Sequence, residues 1–180
     1  MHEIMKSRRS VRRYTDEPVT DAAIRELLEA ARSAPSGHNL QPWRFVVVRD
    51  EHTRQQLAAC NHNQMFMADA PVHIVVAAYP RLKEDETIPF VDEASPEHGV
   101  KQGIRDGAIA ATHILLQAET MGLGACWCGW HTQEEVRAVL HIPEGLYVVG
   151  IIPIGHPAET PEPRPRKELD ELVHWEMWGE

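Results

Sequence analysis

Val72-His73-Ile74-Val75-Val76-Ala77-Ala78 is an almost unbroken apolar run between Pro71 and Pro80, and it predicts a strand buried on both faces of its sheet. Such a strand needs a layer of helices on each side. Trp43-Arg44-Phe45-Val46-Val47-Val48 and Tyr147 to Ile154, β-branched and aromatic, predict two more strands. Helical periodicity supplies the covering layers. Ile24, Leu27, Leu28 and Ala31 recur at three- and four-residue steps behind Thr20, a plausible N-cap, and Pro35 and Gly37 end that helix. Glu51 to Cys60 predicts a short helix. Thr132-Gln133-Glu134-Glu135 reads as a capping box for a helix running to about His141, before Pro143. Gly103 to Met121 is apolar around much of its circumference (Ile104, Ala108, Ile109, Ala111, Ile114, Leu115, Leu116, Ala118), which predicts a buried helix that can also serve a dimer core. The expected fold is α+β, an α/β sandwich with a central mixed sheet flanked by helices, in one domain over residues 1–180. Residues 80–100, with three prolines and the group Lys83-Glu84-Asp85-Glu86, have no clean period and predict a mobile loop or lid over an active site.

Composition sets limits on function. With 43% hydrophobic residues among 180 the chain can bury one sizeable core. Lys plus Arg number 18 against 27 Asp plus Glu, and the balance of −9 disfavours nucleic acid and acidic membranes as partners. No run of about 18 apolar residues spans a bilayer and the first residues lack a signal peptide's apolar stretch, so the protein is expected to be soluble and cytoplasmic. Cys60, Cys126 and Cys128 imply no disulfide framework.

The basic residues are unevenly placed. Arg8-Arg9-Ser10-Val11-Arg12-Arg13 opens the chain and Arg164-Pro165-Arg166-Lys167 nearly closes it. Guanidinium forks suit a phosphate, though for either cluster taken alone a solvated basic face is the commoner explanation. Ser36-Gly37-His38-Asn39-Leu40-Gln41-Pro42 concentrates a hydroxyl and amides able to hydrogen-bond a planar polar ring, or is a plain helix-to-strand loop. Gly122-Leu123-Gly124 either lets backbone approach a ligand or caps the preceding helix. Cys126-x-Cys128 with His131 only loosely imitates a zinc half-site, and no metal is expected. No acid, base or nucleophile stands out, as in a protein whose cofactor carries the chemistry.

Arg8-Arg9-Ser10-Val11-Arg12-Arg13-Tyr14, Ala34-Pro35-Ser36-Gly37-His38-Asn39-Leu40-Gln41-Pro42-Trp43, Gly122-Leu123-Gly124 and Pro163-Arg164-Pro165-Arg166-Lys167 together resemble, in order and spacing, the motifs of FMN-dependent nitroreductases. The resemblance implies an FMN-binding homodimer with two cofactor sites at its interface, NADH or NADPH as electron donor, and a small-molecule acceptor. By that similarity Arg8, Arg9, Ser10 and Arg12 match the phosphate, ribityl and pyrimidine end of the flavin site, and Arg164 and Arg166 complete the phosphate clamp. Pro35, Ser36, Asn39 and Gln41 match the loop supplied across the interface, Asn63 the ring-edge asparagine, and Cys128 and Gly129 the positions whose backbone amides face flavin N5 and O4. Tyr79, Phe90 and Trp130 are candidate pocket walls or ordinary packing residues. The implied mechanism is ping-pong, through flavin N5 to a nitroaromatic, quinone or similar acceptor, with no catalytic side chain. Relatives of this architecture also dehalogenate aromatics or break down flavin with oxygen, and a flavin-binding protein without turnover is a further alternative.

Overall fold

A computed structural model describes residues 1–80 and 91–179. Four strands, β1 (Trp43–Val48), β2 (Val72–Ala78), β3 (Gly124–Ala125) and β4 (Tyr147–Gly155), form one sheet in the order β1-β2-β4-β3. The helices are α1 (Glu3–Ser7), α2 (Asp21–Arg32), α3 (Glu51–Cys60), α4 (Phe66–Asp69), α5 (His98–Thr120) and α6 (Gln133–Leu140). All three strand pairs are antiparallel, which corrects the expected mixed sheet; parallel pairing among the described residues is confined to an isolated bridge between Ser10 and Ala125. The reason is the path of the connections. Helices α3 and α4 carry the chain out and back, so β2 starts beside the end of β1, with His73 opposite Val48.

Burial of β2 on both faces follows from its lack of polar alternation, and every residue of β2 and β4 is buried. Val72, Ile74, Val76 and Ala78 pack into a cluster with α2 and α5, while Val75 and Ala77 pack with α3, α4 and α6. In β4 the parity changes. Tyr147 and Val149 face the α5 side, and so do Ile152 and Ile154, because the register slips between Val76 and Ala77 and leaves Val149 as the extra residue of a bulge. One strand thereby directs both odd and even residues into the same core.

The helix ends obey local rules. Thr20 Oγ1 accepts from Ala23 N, and Thr132 Oγ1 accepts from Glu135 N while bonding the Glu135 carboxylate. Gly122, at φ 71°, ends α5: Leu123 N donates to Ala118 O and Gly122 N to Glu119 O, which settles its role as a helix stop. Helix α5 begins at His98, ahead of the expected Gly103, since Val100 extends its buried stripe by one turn. Within the chain it is buried along one face, while Ile109 is exposed and Leu116 half-buried, the apolar surface left over on a helix expected to be buried and to serve a dimer core as well. The expected loop over 80–100 falls partly outside the described residues, including Phe90 and the 83–86 acidic group. From Val91 the chain is anchored. Tyr147 Oη and Gln133 Nε2 donate to the Glu93 carboxylate, and Arg137 bonds the Val91 carbonyl.

Candidate functional site

Segment 10–15 runs between two neighbouring stretches of chain. On one side Val11 N donates to Ala125 O at 3.1 Å; on the other Thr15 N donates to His156 O and Ala158 N to Arg13 O, each at 2.9 Å. Tyr14 braces the segment itself, its hydroxyl donating to Val11 O at 2.6 Å and lying 3.4 Å from Pro153 O of β4, with burial as the main force raising its phenol so that it remains a neutral donor. Gly155 permits this packing, for a Cβ there would lie 2.6 Å from Pro71 Cδ and 2.9 Å from Tyr14 Cδ1. Beyond His156 the chain returns over the N-terminal arginines. Arg8, Arg9, Ser10, Arg12, Arg164 and Arg166 consequently line one cleft of about 460 Å³.

None of those five guanidinium groups has a salt-bridge partner among the described residues. Among the described residues their side-chain hydrogen bonds reach only backbone carbonyls, Arg9 to Lys6 and Arg8, Arg12 to Ser10, Arg166 to Arg164 and Pro165. Glu162 lies on the same wall, and Glu159 is engaged by the Arg12 backbone N–H at 2.7 Å. Converging like charges with so little compensation repel one another, and a bound anion removes the penalty. Paired donors on rigid forks match the oxygens of a phosphate.

Two further segments adjoin this cleft. Arg12 Cζ lies 5.8 Å from the ring centroid of Phe66, the first residue of α4. The turn before α4 holds His62 and Asn63 at φ 53° and 55°, and side chains close the helix's far end: Arg54 bonds the Ala68 and Ala70 carbonyls, and the His73 ring bonds Met67 O at 2.7 Å. The third segment is 126–131. The buried Cys126 thiol is drawn downward chiefly by a hydrogen bond from Cys128, against burial, with Arg12, Ser10 and Arg8 adding to the effect; the same bond, with burial, pushes Cys128 up.

Loop 35–41 stands apart. His38, Asn39 and Gln41 all have positive φ, a strained arrangement of roughly 1 kcal/mol or more per residue. It is held by Ser36 Oγ, which accepts from Gln41 N at 3.0 Å, and by the Asp106 carboxylate of α5, which accepts from Gly37 N at 3.3 Å. Gln41 lines a second cleft, of about 240 Å³, with Arg44 and Tyr79, whose ring centroid lies 5.0 Å from Arg44 Cζ. The two clefts share no residue.

The model of the nitroreductase family matches residues 5–156. The chain belongs to the nitroreductase family. An NADH dehydrogenase of Thermus thermophilus is 34% identical over 190 residues, covering 93% of this chain and 92% of the relative. The FMN reductase [NAD(P)H] of Bacillus subtilis is 29% identical over 187 residues, 99% of this chain and 75% of the relative. Among solved structures, the NADPH:FMN oxidoreductase of Vibrio harveyi complexed with NAD+ superposes with a TM-score of 0.88 at 29% identity, over 99% of this chain and 77% of that one.

Within this nitroreductase chain the N- and C-terminal motifs meet in one cleft, and the Pro35-to-Gln41 motif does not join them. Cys128 is a correction. Its N–H donates to Ile151 O at 2.9 Å and its carbonyl accepts from Ile151 N at 2.8 Å, so its amide is spent on the sheet edge. Gly129 is exposed, and its N–H has no partner among the described residues. Asn63 is exposed beside Phe66's helix, and Trp130 is exposed beneath the His62 ring. Sequence reasoning missed Asn61, fully buried and bonded to Trp130 N, and Phe66 under Arg12. The single available signal was an amide beside a second amide in Asn61-His62-Asn63, which gives no means of choosing between them.

Proposed function

We propose that this chain is an FMN-dependent NAD(P)H oxidoreductase acting on a nitroaromatic, quinone or similar small acceptor. The observation that carries the reading is the convergence of Arg8, Arg9, Arg12, Arg164 and Arg166, their guanidinium groups without a carboxylate partner among the described residues, in one cleft of a nitroreductase-family chain. FMN, named in the descriptions of the Bacillus and Vibrio relatives, carries a phosphate that this donor set fits. Arg8, Arg9, Ser10, Arg12, Arg164 and Arg166 hold its phosphate and ribityl end; Asn63 and the free Gly129 N–H serve the ring. When bound, FMN supplies the redox chemistry, taking hydride from NADH or NADPH and delivering it to the acceptor in a ping-pong cycle. The protein orients both substrates, excludes water and places donors where negative charge develops.

The chain works as a homodimer in this reading. Pro35, Ser36, Asn39 and Gln41 reach the partner's cofactor, which accounts for their separation from the arginine cleft of their own chain. Apolar surface supports it: Trp175 and Trp178 are 76% and 89% exposed, and Leu169, Leu172, Met177 and Ile109 are exposed as well. Surface of that kind marks an interaction site. Three free thiols suit a reducing compartment such as the cytoplasm, and among the described residues no helix is long and apolar enough to cross a membrane.

An absorption spectrum of the purified protein, followed by anaerobic NADH and then NADPH, tests the reading. Flavin absorption that bleaches on addition, returns with a nitroaromatic or quinone, and yields parallel double-reciprocal plots is the expected result. A colourless protein that refuses added FMN overturns it. Flavin that is destroyed in air after reduction, with no benefit from an acceptor, redirects it to flavin breakdown.

A further inference from the structure

We infer that Asn61 and His62 are positioning residues whose side chains clamp Trp130 and so hold the Gly129 N–H as a preset donor to the cofactor ring; this rests on the proposal that FMN occupies the arginine cleft. Gly129 lies between two residues whose backbone groups are all engaged. Cys128 is paired through both N–H and carbonyl with Ile151. Trp130 N–H donates to Asn61 Oδ1 at 3.1 Å, and the Trp130 carbonyl accepts from His62 Nδ1 at 2.8 Å. The His62 ring also stacks on the Trp130 indole, centroids 3.9 Å apart and planes 13° from parallel. Between them Gly129 is an exposed residue whose N–H no described residue accepts; the N–H groups of Trp127 and His131 also lack an acceptor among the described residues, but neither of those residues is exposed.

The orientation of Asn61 is determined by its neighbours. Both Trp130 N–H and Gln64 Nε2 are donors, at 3.1 and 3.4 Å, so the oxygen of the carboxamide faces them. Its Nδ2 therefore donates to His131 Nδ1 at 3.3 Å, which makes that nitrogen an acceptor and leaves the imidazole neutral. Asn61 is 0% exposed, so water cannot replace any of these bonds. The two segments that carry the clamp also carry residues beside Arg12 of the cleft. Phe66, five residues on from Asn61, lies under Arg12, and Cys126, three residues before Gly129, faces Ser10 and Arg12. A rigid donor costs no reorganisation when its ligand arrives, whereas a loop free to turn loses part of the bond.

The test uses the FMN-loaded protein with His62→Ala, which removes an exposed ring and leaves the core alone, His62→Phe, which keeps the stack and loses the bond, and Asn61→Leu. Measured are the two-electron midpoint potential of the bound flavin, flavin retention, and deuterium uptake of the 127–132 backbone. With the Cys128 N–H taken by Ile151, the Gly129 N–H is the one left for flavin N5; a donor there favours the nitrogen bearing a lone pair over the same nitrogen once protonated, so a loosened Gly129 raises the potential. Expected for His62→Ala is about a tenfold change in the ratio of affinities for oxidised and reduced flavin, a rise of about 30 mV, with faster exchange at 128–131 and retention set by the unchanged arginine cleft. His62→Phe recovers part of the shift, and Asn61→Leu, where it folds, exceeds both. Faster exchange in His62→Ala with an unchanged potential means the clamp is structural only, and the inference fails while the cofactor assignment stands. A wild-type chain without flavin overturns both.

Discussion

His73 sits at the centre of the sheet with no exposure to solvent, and its titration is a quantitative test of the core. Its Nε2 lies 2.7 Å from Met67 O, a pure acceptor, so Nε2 carries the proton; Nδ1 is buried with no partner among the described residues. Protonating Nδ1 would place a charge and an unmatched N–H in the buried layer that β2 shares with α4, on the face of Val75 and Ala77. Burial accordingly pushes the ring down to about 4 from 6.5, with the Met67 bond opposing and Arg54 adding slightly. The unfolded chain binds this proton near pH 6.5 and the folded chain only near pH 4. Between those limits the unfolded state holds one more proton, so stability rises with pH and is lost as pH falls from about 6.5 to 4. At about 1.4 kcal/mol per pH unit the loss reaches about 3 kcal/mol. Replacing the ring by His73→Leu removes one of the two hydrogen bonds to the Met67 carbonyl, which keeps the one from Ala70 N at 3.1 Å, at a net cost of about 0.5–1.5 kcal/mol at neutral pH, but abolishes the slope due to this group. Urea unfolding of both proteins at fixed concentration, at intervals from pH 7 to 4, isolates it, because the carboxylates contribute equally to the two curves. The wild type should lose stability relative to the variant with a difference slope near one proton. Parallel curves over that range would refute the reasoning. The effect also reaches the site, since the Met67 carbonyl belongs to α4, whose first residue lies under Arg12.

Other outcomes follow from single contacts. Arg12→Ala or Arg166→Ala removes a charge-assisted donor worth about 1.5–3 kcal/mol, so FMN affinity by equilibrium titration should fall roughly 10- to 100-fold with unchanged circular dichroism; full flavin occupancy in both variants would sink the phosphate assignment. Gly155→Ala forces a methyl against the Pro71 and Tyr14 rings, and a stability loss of about 1–3 kcal/mol in urea is expected; an unaltered midpoint would show that the two rings give way freely. Removing residues 168–180, or introducing Ile109→Glu, should shift the protein from dimer toward monomer in light scattering, and a variant dimer as tight as wild type would relocate the interface elsewhere.

Much of the architecture was legible in local chemistry. The Thr20 and Thr132 caps, the stop at Gly122 and the doubly buried strand at Val72–Ala78 depend on residues within a few positions of one another, and short-range hydrogen bonding and hydrophobic period suffice to read them. The four motifs likewise carried the family. Antiparallel order, the bulge that turns Val149 and Ile152 to one core, and the one-sided burial of α5 were not readable, because each depends on which strand end the chain returns to. The arginine clusters show the division most clearly. Taken alone in the sequence each is better explained by solvated surface, and only the return of the chain past His156 brings Arg164 and Arg166 to Arg8, Arg9 and Arg12. The same holds for backbone donors: pairing with Ile151, a remote residue, takes the Cys128 N–H and leaves that of Gly129, and no pattern of side chains along the chain encodes which amide stays free. Sequence determined the elements and the kinds of group available for chemistry, since these follow from near neighbours; tertiary structure decided which groups meet and which remain unpaired, since that is a property of contacts between distant segments.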